Sequence, residues 1–168
     1  MKAQTMEPKT AAELVPEILR PKKILVPIDF SATSKKAFYY ALRFAEGFDC
    51  EIVLLHVVEP VDSIAEKPVT IGIFAQPEEG ATVAKARLAS LVASTRNREN
   101  SVKSAVRIGH APNEIIRAAK ELNVDLIVIA AHGYTSWQHF CIGSTAERVV
   151  RTAPCPVLAL REKEHEFC

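Results

Sequence analysis

A chain of 168 residues, 48% hydrophobic and 24% charged, has the balance of a single soluble globular domain. At about this length a core buries roughly 68–70% of the unfolded surface and needs no staples. Lysine and arginine number 21 against 20 aspartates and glutamates, a net charge of +1, which argues against a protein that grips a nucleic-acid backbone through a basic excess. No apolar run approaches the ~20 residues of a membrane-spanning helix. Met1 to Arg20 carries Glu7, Lys9, Glu13, Pro8 and Pro16 in place of the apolar stretch of a signal peptide. Cys50, Cys141, Cys155 and Cys168 have no paired metal spacing and read as reduced thiols. A soluble cytoplasmic protein without a resident metal or a membrane partner is the expectation.

Residues 1–21 read as a flexible arm. Lys23-Ile-Leu-Val-Pro-Ile28 is a short buried strand whose proline belongs near its end, where no ladder donor is missed. Asp29 to Ser34 is rich in capping residues. From Ser34 to Phe48, Ala37, Ala41, Phe44, Ala45 and Phe48 recur at helical spacing, with Gly47 as the C-terminal signal. Glu51 to Val58 is a second strand. Residues 59–77, broken by Pro60, Pro68, Gly72 and Pro77, form an irregular excursion. Pro77-Glu-Glu opens a helix to about Arg98, with proline and acids where a helix start favours them.

Ser101 to Ile108, partly polar, reads as an edge strand, and Pro112 to Leu122 as a third helix. Asp125 to Ala131 is the most apolar stretch and reads as a central parallel strand covered on both faces. A glycine-containing loop spans His132 to Gly143. Ser144-Thr-Ala-Glu147 has capping-box spacing for a last helix reaching Arg151. Pro156 to Leu160 is a last strand, followed by a charged tail at 162–168. Alternating strands and helices predict an α/β fold: a doubly wound, open, parallel five-stranded sheet with helices on both faces. The domain spans 22–161.

In such sheets ligands collect beyond the carboxyl ends of strands where the strand order reverses. The first strand ends in Pro27-Ile-Asp29 and the fourth runs into Ala130-Ala-His-Gly133. If these strands are neighbours, their loops face one crevice. Gly133 is followed by nine residues and then by Gly143-Ser144 directly before a helix. Glycine permits close backbone approach, and helix-start amides are ready anion donors. No Gly-Lys-Ser/Thr is present, so this is not a Walker A loop. Two ligands, His139 and Cys141, make no convergent metal set. No Gly-x-Ser-x-Gly nucleophile elbow occurs.

Lys23-Ile-Leu-Val-Pro-Ile-Asp-Phe-Ser31, Leu54-Leu-His-Val57, Gly143-Ser-Thr-Ala-Glu-Arg-Val-Val150 and Ala153-Pro-Cys-Pro-Val157 together resemble the signatures of universal stress proteins. The resemblance covers roughly residues 22–161 and implies a Rossmann-like fold of the adenine nucleotide alpha hydrolase type. The nucleotide-binding branch carries Gly-x-x-Gly, nine residues, then Gly-Ser/Thr. Gly133, Gly143 and Ser144 match that motif, while Ala130 replaces its first glycine. The resemblance implies an adenine-nucleotide site at Pro27, Asp29, Val57, Ala130, His132, Gly133, Gly143, Ser144 and Thr145. Asp29 would contact the ribose or adenine, Val57 would back the adenine, and the loop would wrap the phosphates. The ligand implied is ATP, with ADP or AMP as alternatives, and Mg2+ arriving with the phosphates.

Two positions where members often carry a basic residue hold Tyr134 and His139, which reduces cationic help at the phosphates. Trp137 and Phe140 either anchor a partner or pin the loop. The likeness further implies a homodimer through Val157, Leu158, Ala159 and Leu160, and an unidentified protein partner. The leading expectation is an ATP-binding stress-response switch or scaffold with no catalytic residue and no or very slow hydrolysis. The alternative is a dimeric interaction module that no longer binds nucleotide. A true ATPase or nucleotide-transferring enzyme would need a catalytic group from the 59–77 excursion, where Glu66 and Lys67 are the charged candidates, or from a partner.

Overall fold

The structure, a computed structural model, describes residues 20–60, 77–95, 101–131 and 142–161. The arm before residue 20, most of the 59–77 excursion with Glu66 and Lys67, His132, Gly133, Tyr134, Trp137, His139, Phe140, Cys141 and the tail at 162–168 lie outside the described residues.

Among the described residues five strands and four helices alternate: β1 (Lys23–Pro27), α1 (Ala32–Phe48), β2 (Glu51–Val58), α2 (Pro77–Ala93), β3 (Val102–Ile108), α3 (Ala111–Glu121), β4 (Leu126–Ala130), α4 (Ser144–Thr152) and β5 (Val157–Leu160). All pairings are parallel, in the order β3-β2-β1-β4-β5. The expected doubly wound architecture is therefore present, and β3 is an edge strand. The order reverses between β1 and β4, which pair Ile24 with Leu126 and Leu25 with Ile127.

Strand alternation builds two cores. Ile24, Val26, Ile52, Leu54 and Val128 face α1 and α2, where they meet Phe38, Ala41, Ala45, Ala84 and Leu88. Leu25, Val53, Leu55, Ile127 and Ile129 face Ile115, Ala118, Ala119, Ala146 and Val149 of α3 and α4. With both faces covered, a strand reads as a continuous apolar run, as β4 does.

Local chemistry moves several boundaries. α1 begins at Ala32, earlier than the Ser34 expected, because the Ser31 hydroxyl accepts the Ser34 N–H (3.0 Å) and caps the helix. Gly47 is not the stop signal: it lies inside α1, and the helix ends at Asp49 in left-handed backbone (φ 53°), its N–H donating to the Ala45 carbonyl. α2 ends at Ala93 rather than about Arg98. At α4 the capping box does not form. Gly143 is the N-cap, and Ser144 is already helical. Pro27 ends β1 as expected, and the next residue, Ile28, donates its N–H to the Leu55 carbonyl.

Candidate functional site

β1 ends in a tight reversal. Asp29 is exposed, and its Oδ1 accepts the Ser31 N–H at 2.9 Å, so the carboxylate organises the turn into α1. The turn requires Phe30 in left-handed backbone (φ 66°), unusual for a bulky side chain. Phe30 is buried and held on two sides. His56 of β2 packs against it at 4.7 Å between ring centroids, and the Arg87 guanidinium of α2 lies over the ring at 3.9 Å.

The His56 Nδ1 lies 2.6 Å from the Ile28 carbonyl, which the tautomer protonated at that nitrogen satisfies. Burial pushes the His56 pKa down. The Ile28 carbonyl and the charge of Asp29 oppose that shift, and Arg87 adds to it. A neutral His56 thus ties β2 to the end of β1, immediately before Asp29.

Its neighbour Val57 points to the opposite sheet face, half-buried against the α3 and α4 core. Two residues further, the Glu59 carboxylate accepts the Ala111 N–H at 2.7 Å and closes the N-terminus of α3, where His110 supplies no side-chain bond.

Among the described residues, the N-terminus of α4 has no such closure. Its cap, Gly143, has no side chain to offer. The first helical bond runs from the Glu147 N–H to the Gly143 carbonyl (2.9 Å), so the amides of Ser144, Thr145 and Ala146 lack helical acceptors. The Glu147 carboxylate in the same turn is engaged by Arg151 at 2.8 Å. This helix start is anchored at the mouth of β4, because the Gly143 N–H donates to the Ala131 carbonyl and the Ala131 N–H to the Leu160 carbonyl, each at 2.7 Å.

Pro27, Asp29, Ala130, Gly143, Ser144 and Thr145 therefore gather at the carboxyl ends of the adjacent strands β1 and β4. Val57 stands one strand away on β2. Ala130 ends β4 in strand backbone, which any residue adopts, so its methyl group costs no conformational strain. His132 and Gly133 fall outside the described residues. Arg87 and Glu59 have no motif to announce them, and Phe30 and His56, though inside the signature segments, carry no assigned role there. Only the period-two alternation of β2 marks His56 as facing the α1 and α2 side.

At β5 the Pro156 carbonyl accepts the Ile127 N–H and the Leu160 carbonyl accepts the Ala131 N–H. By strand alternation the polar groups of Val157 and Ala159 then point outward, along an edge that no other described strand pairs. Cys50 is buried and Cys155 half-buried, neither in a disulfide. Burial pushes the Cys155 thiol pKa up, and the nearby Asp125 charge acts in the same direction. Among the described residues no group of three or more His, Cys, Asp or Glu is placed to hold a metal, and no helix is long and apolar enough to cross a membrane.

The sheet order and the open helix start at its reversal define an α/β domain of the doubly wound class, with its crevice at the switch point. Residues 21–161 match the universal stress protein family, and the chain belongs to that family. A universal stress protein of Methanocaldococcus jannaschii is 31% identical over 148 residues, covering 86% of this chain and 85% of the relative. The solved universal stress protein of Lactobacillus plantarum is 29% identical with a TM-score of 0.66, covering 84% of this chain and 99% of that one. A universal stress protein of Archaeoglobus fulgidus, solved in complex with dAMP, shares the fold at 19% identity and a TM-score of 0.60, covering 84% and 98%.

Proposed function

We propose that this protein is an adenine-nucleotide-binding switch or scaffold of the stress response, taking ATP in the crevice between β1 and β4. The observation that carries the reading is the uncapped start of α4, held at the end of β4 beside the Asp29 turn. Three backbone amides and the Ser144 and Thr145 hydroxyls are a donor set for phosphate oxygens. The Asp29 carboxylate is an acceptor suited to ribose hydroxyls or the adenine amine. Val57 offers an apolar backing for the base. The contrast with α3 supports the choice of helix, since Glu59 already fills the anion position there. The dAMP complex belongs to a protein of the same fold and suits this reading.

The donor set fits a nucleotide's phosphates and does not extend to a metal cage, so Mg2+ would be carried by the phosphates. The residues gathered here bind and orient. None is assigned as a general base, and turnover is absent or very slow. The outward edge of β5 suits antiparallel pairing with a second copy through Val157 to Leu160. The thiols at Cys50 and Cys155 suit a reducing cytoplasm.

Titration calorimetry with Mg-ATP, ADP and AMP tests the proposal. Stoichiometric binding by the native chain, lost in Asp29→Ala and in Gly143→Val, is the expected result. No heat and no thermal shift up to about millimolar nucleotide overturns it and leaves a dimeric interaction module.

A further inference from the structure

A second concavity lies between the start of α1 and the C-terminal half of α2. It holds about 300 Å3 and is lined by Phe30, Lys35, Arg87, Ser90, Leu91 and Ser94. That volume is at the lower end of small-molecule sites, about 300–1,000 Å3. The groove belongs to the α1 and α2 face of the sheet, whereas α4 and Val57 belong to the other.

The lining is amphipathic and of one charge sign. Buried Phe30 and half-buried Leu91 supply apolar surface, Ser90 and Ser94 supply hydroxyls, and Lys35 and Arg87 supply two positive charges without a carboxylate among the six. Arg43, Arg107, Arg117, Arg151 and Lys103 each pair with a glutamate. Among the described residues neither Lys35 nor Arg87 has such a partner, and the Ser90 hydroxyl makes no hydrogen bond.

The Arg87 guanidinium is moreover held over Phe30 at 3.9 Å. A guanidinium occupied through its face keeps its in-plane N–H donors for an anion, and the stack limits the rotamer freedom lost on binding.

We propose that this groove is a binding site for a small organic anion, a phosphate or carboxylate carried on a flat apolar body. The anionic oxygens meet Arg87, Lys35 and the Ser90 hydroxyl, while the body covers half-buried Leu91 beside the Arg87–Phe30 stack. The site is independent of the nucleotide crevice and does not rest on that reading.

The test uses 1-naphthyl phosphate, 1-naphthoate and inorganic phosphate, followed by amide shifts of the isotopically labelled full chain. Both naphthyl anions are expected to saturate with Kd of about 1 mM or tighter, shifting amides of residues 30–35 and 87–94. Lys35→Gln should weaken them about tenfold, the scale of one charge-assisted hydrogen bond. Ser90→Leu, a helix-compatible change that fills the groove, should abolish the shifts. AMP should not compete. Absence of saturable shifts, shifts confined to 143–146, displacement by AMP, or equal binding of inorganic phosphate would each overturn the proposal.

Discussion

Phe30 offers a sharp test of the turn that presents Asp29, because its two smallest replacements should rank in an inverted order. Phe30→Ala removes a buried ring that touches His56 and Arg87, and such truncations cost about 3–5 kcal/mol. In ordinary backbone Phe30→Gly would be worse still, since glycine adds roughly 0.5–1 kcal/mol of chain entropy to the cost of folding. At φ 66°, however, every L-residue with a Cβ carries a left-handed penalty of about 1–2 kcal/mol, which glycine escapes. The two effects subtract, so Phe30→Gly should be more stable than Phe30→Ala by about 0.5–1 kcal/mol. Urea unfolding followed by far-UV circular dichroism reads the difference as a midpoint shift at constant slope. If the glycine variant is the less stable by about 1 kcal/mol, the left-handed turn, and the account of Asp29 built on it, is wrong.

Two other glycines should respond in opposite directions. A Cβ at Gly47 meets nothing within 4 Å inside α1, so Gly47→Ala should stabilise by about 0.5–1 kcal/mol. At Gly109 (φ 148°) a Cβ would come within 3.0 Å of Glu114 Cγ, and Gly109→Ala should cost about 1–3 kcal/mol, read by the same unfolding assay. His56 gives a pH dependence. Its folded pKa is lowered from 6.5, so the unfolded chain binds the proton more readily. The stability it contributes is full above 6.5, falls as pH drops toward the folded pKa, and changes no further below it. His56→Gln should flatten that part of the stability profile. Ala159→Pro removes an outward donor of β5 without touching the bonds to β4. Light scattering at matched concentration should show a dimer for the native chain and a monomer for the variant. An unchanged mass for the variant would move the interface elsewhere.

The alternation of apolar strands and helical periods was enough to set the architecture, because a sheet covered on both faces leaves continuous apolar runs such as Leu126–Ala130 and a helix leaves a stripe. The glycine-serine pair at 143 and 144 was legible for a similar local reason: residues that permit close approach stand directly before a helix. Element ends were less so. Ser31 and Ser144 are both capping residues by type, yet only Ser31 caps, since the Gly143 N–H is drawn to Ala131 at the end of β4 and α4 starts one residue early.

What only the tertiary structure decided is the pairing of distant parts. β1 and β4 are adjacent although about a hundred residues separate them, and that adjacency alone brings Asp29 and Ser144 to one crevice. Glu59 closes α3 from the end of another strand. Arg87 reaches Phe30 from a helix more than fifty residues on. Hydrophobic periodicity records which face of an element is buried, but it carries no label for the partner. Long-range polar and stacking contacts depend on where two faces meet in space, so their residues look ordinary until the chain is folded.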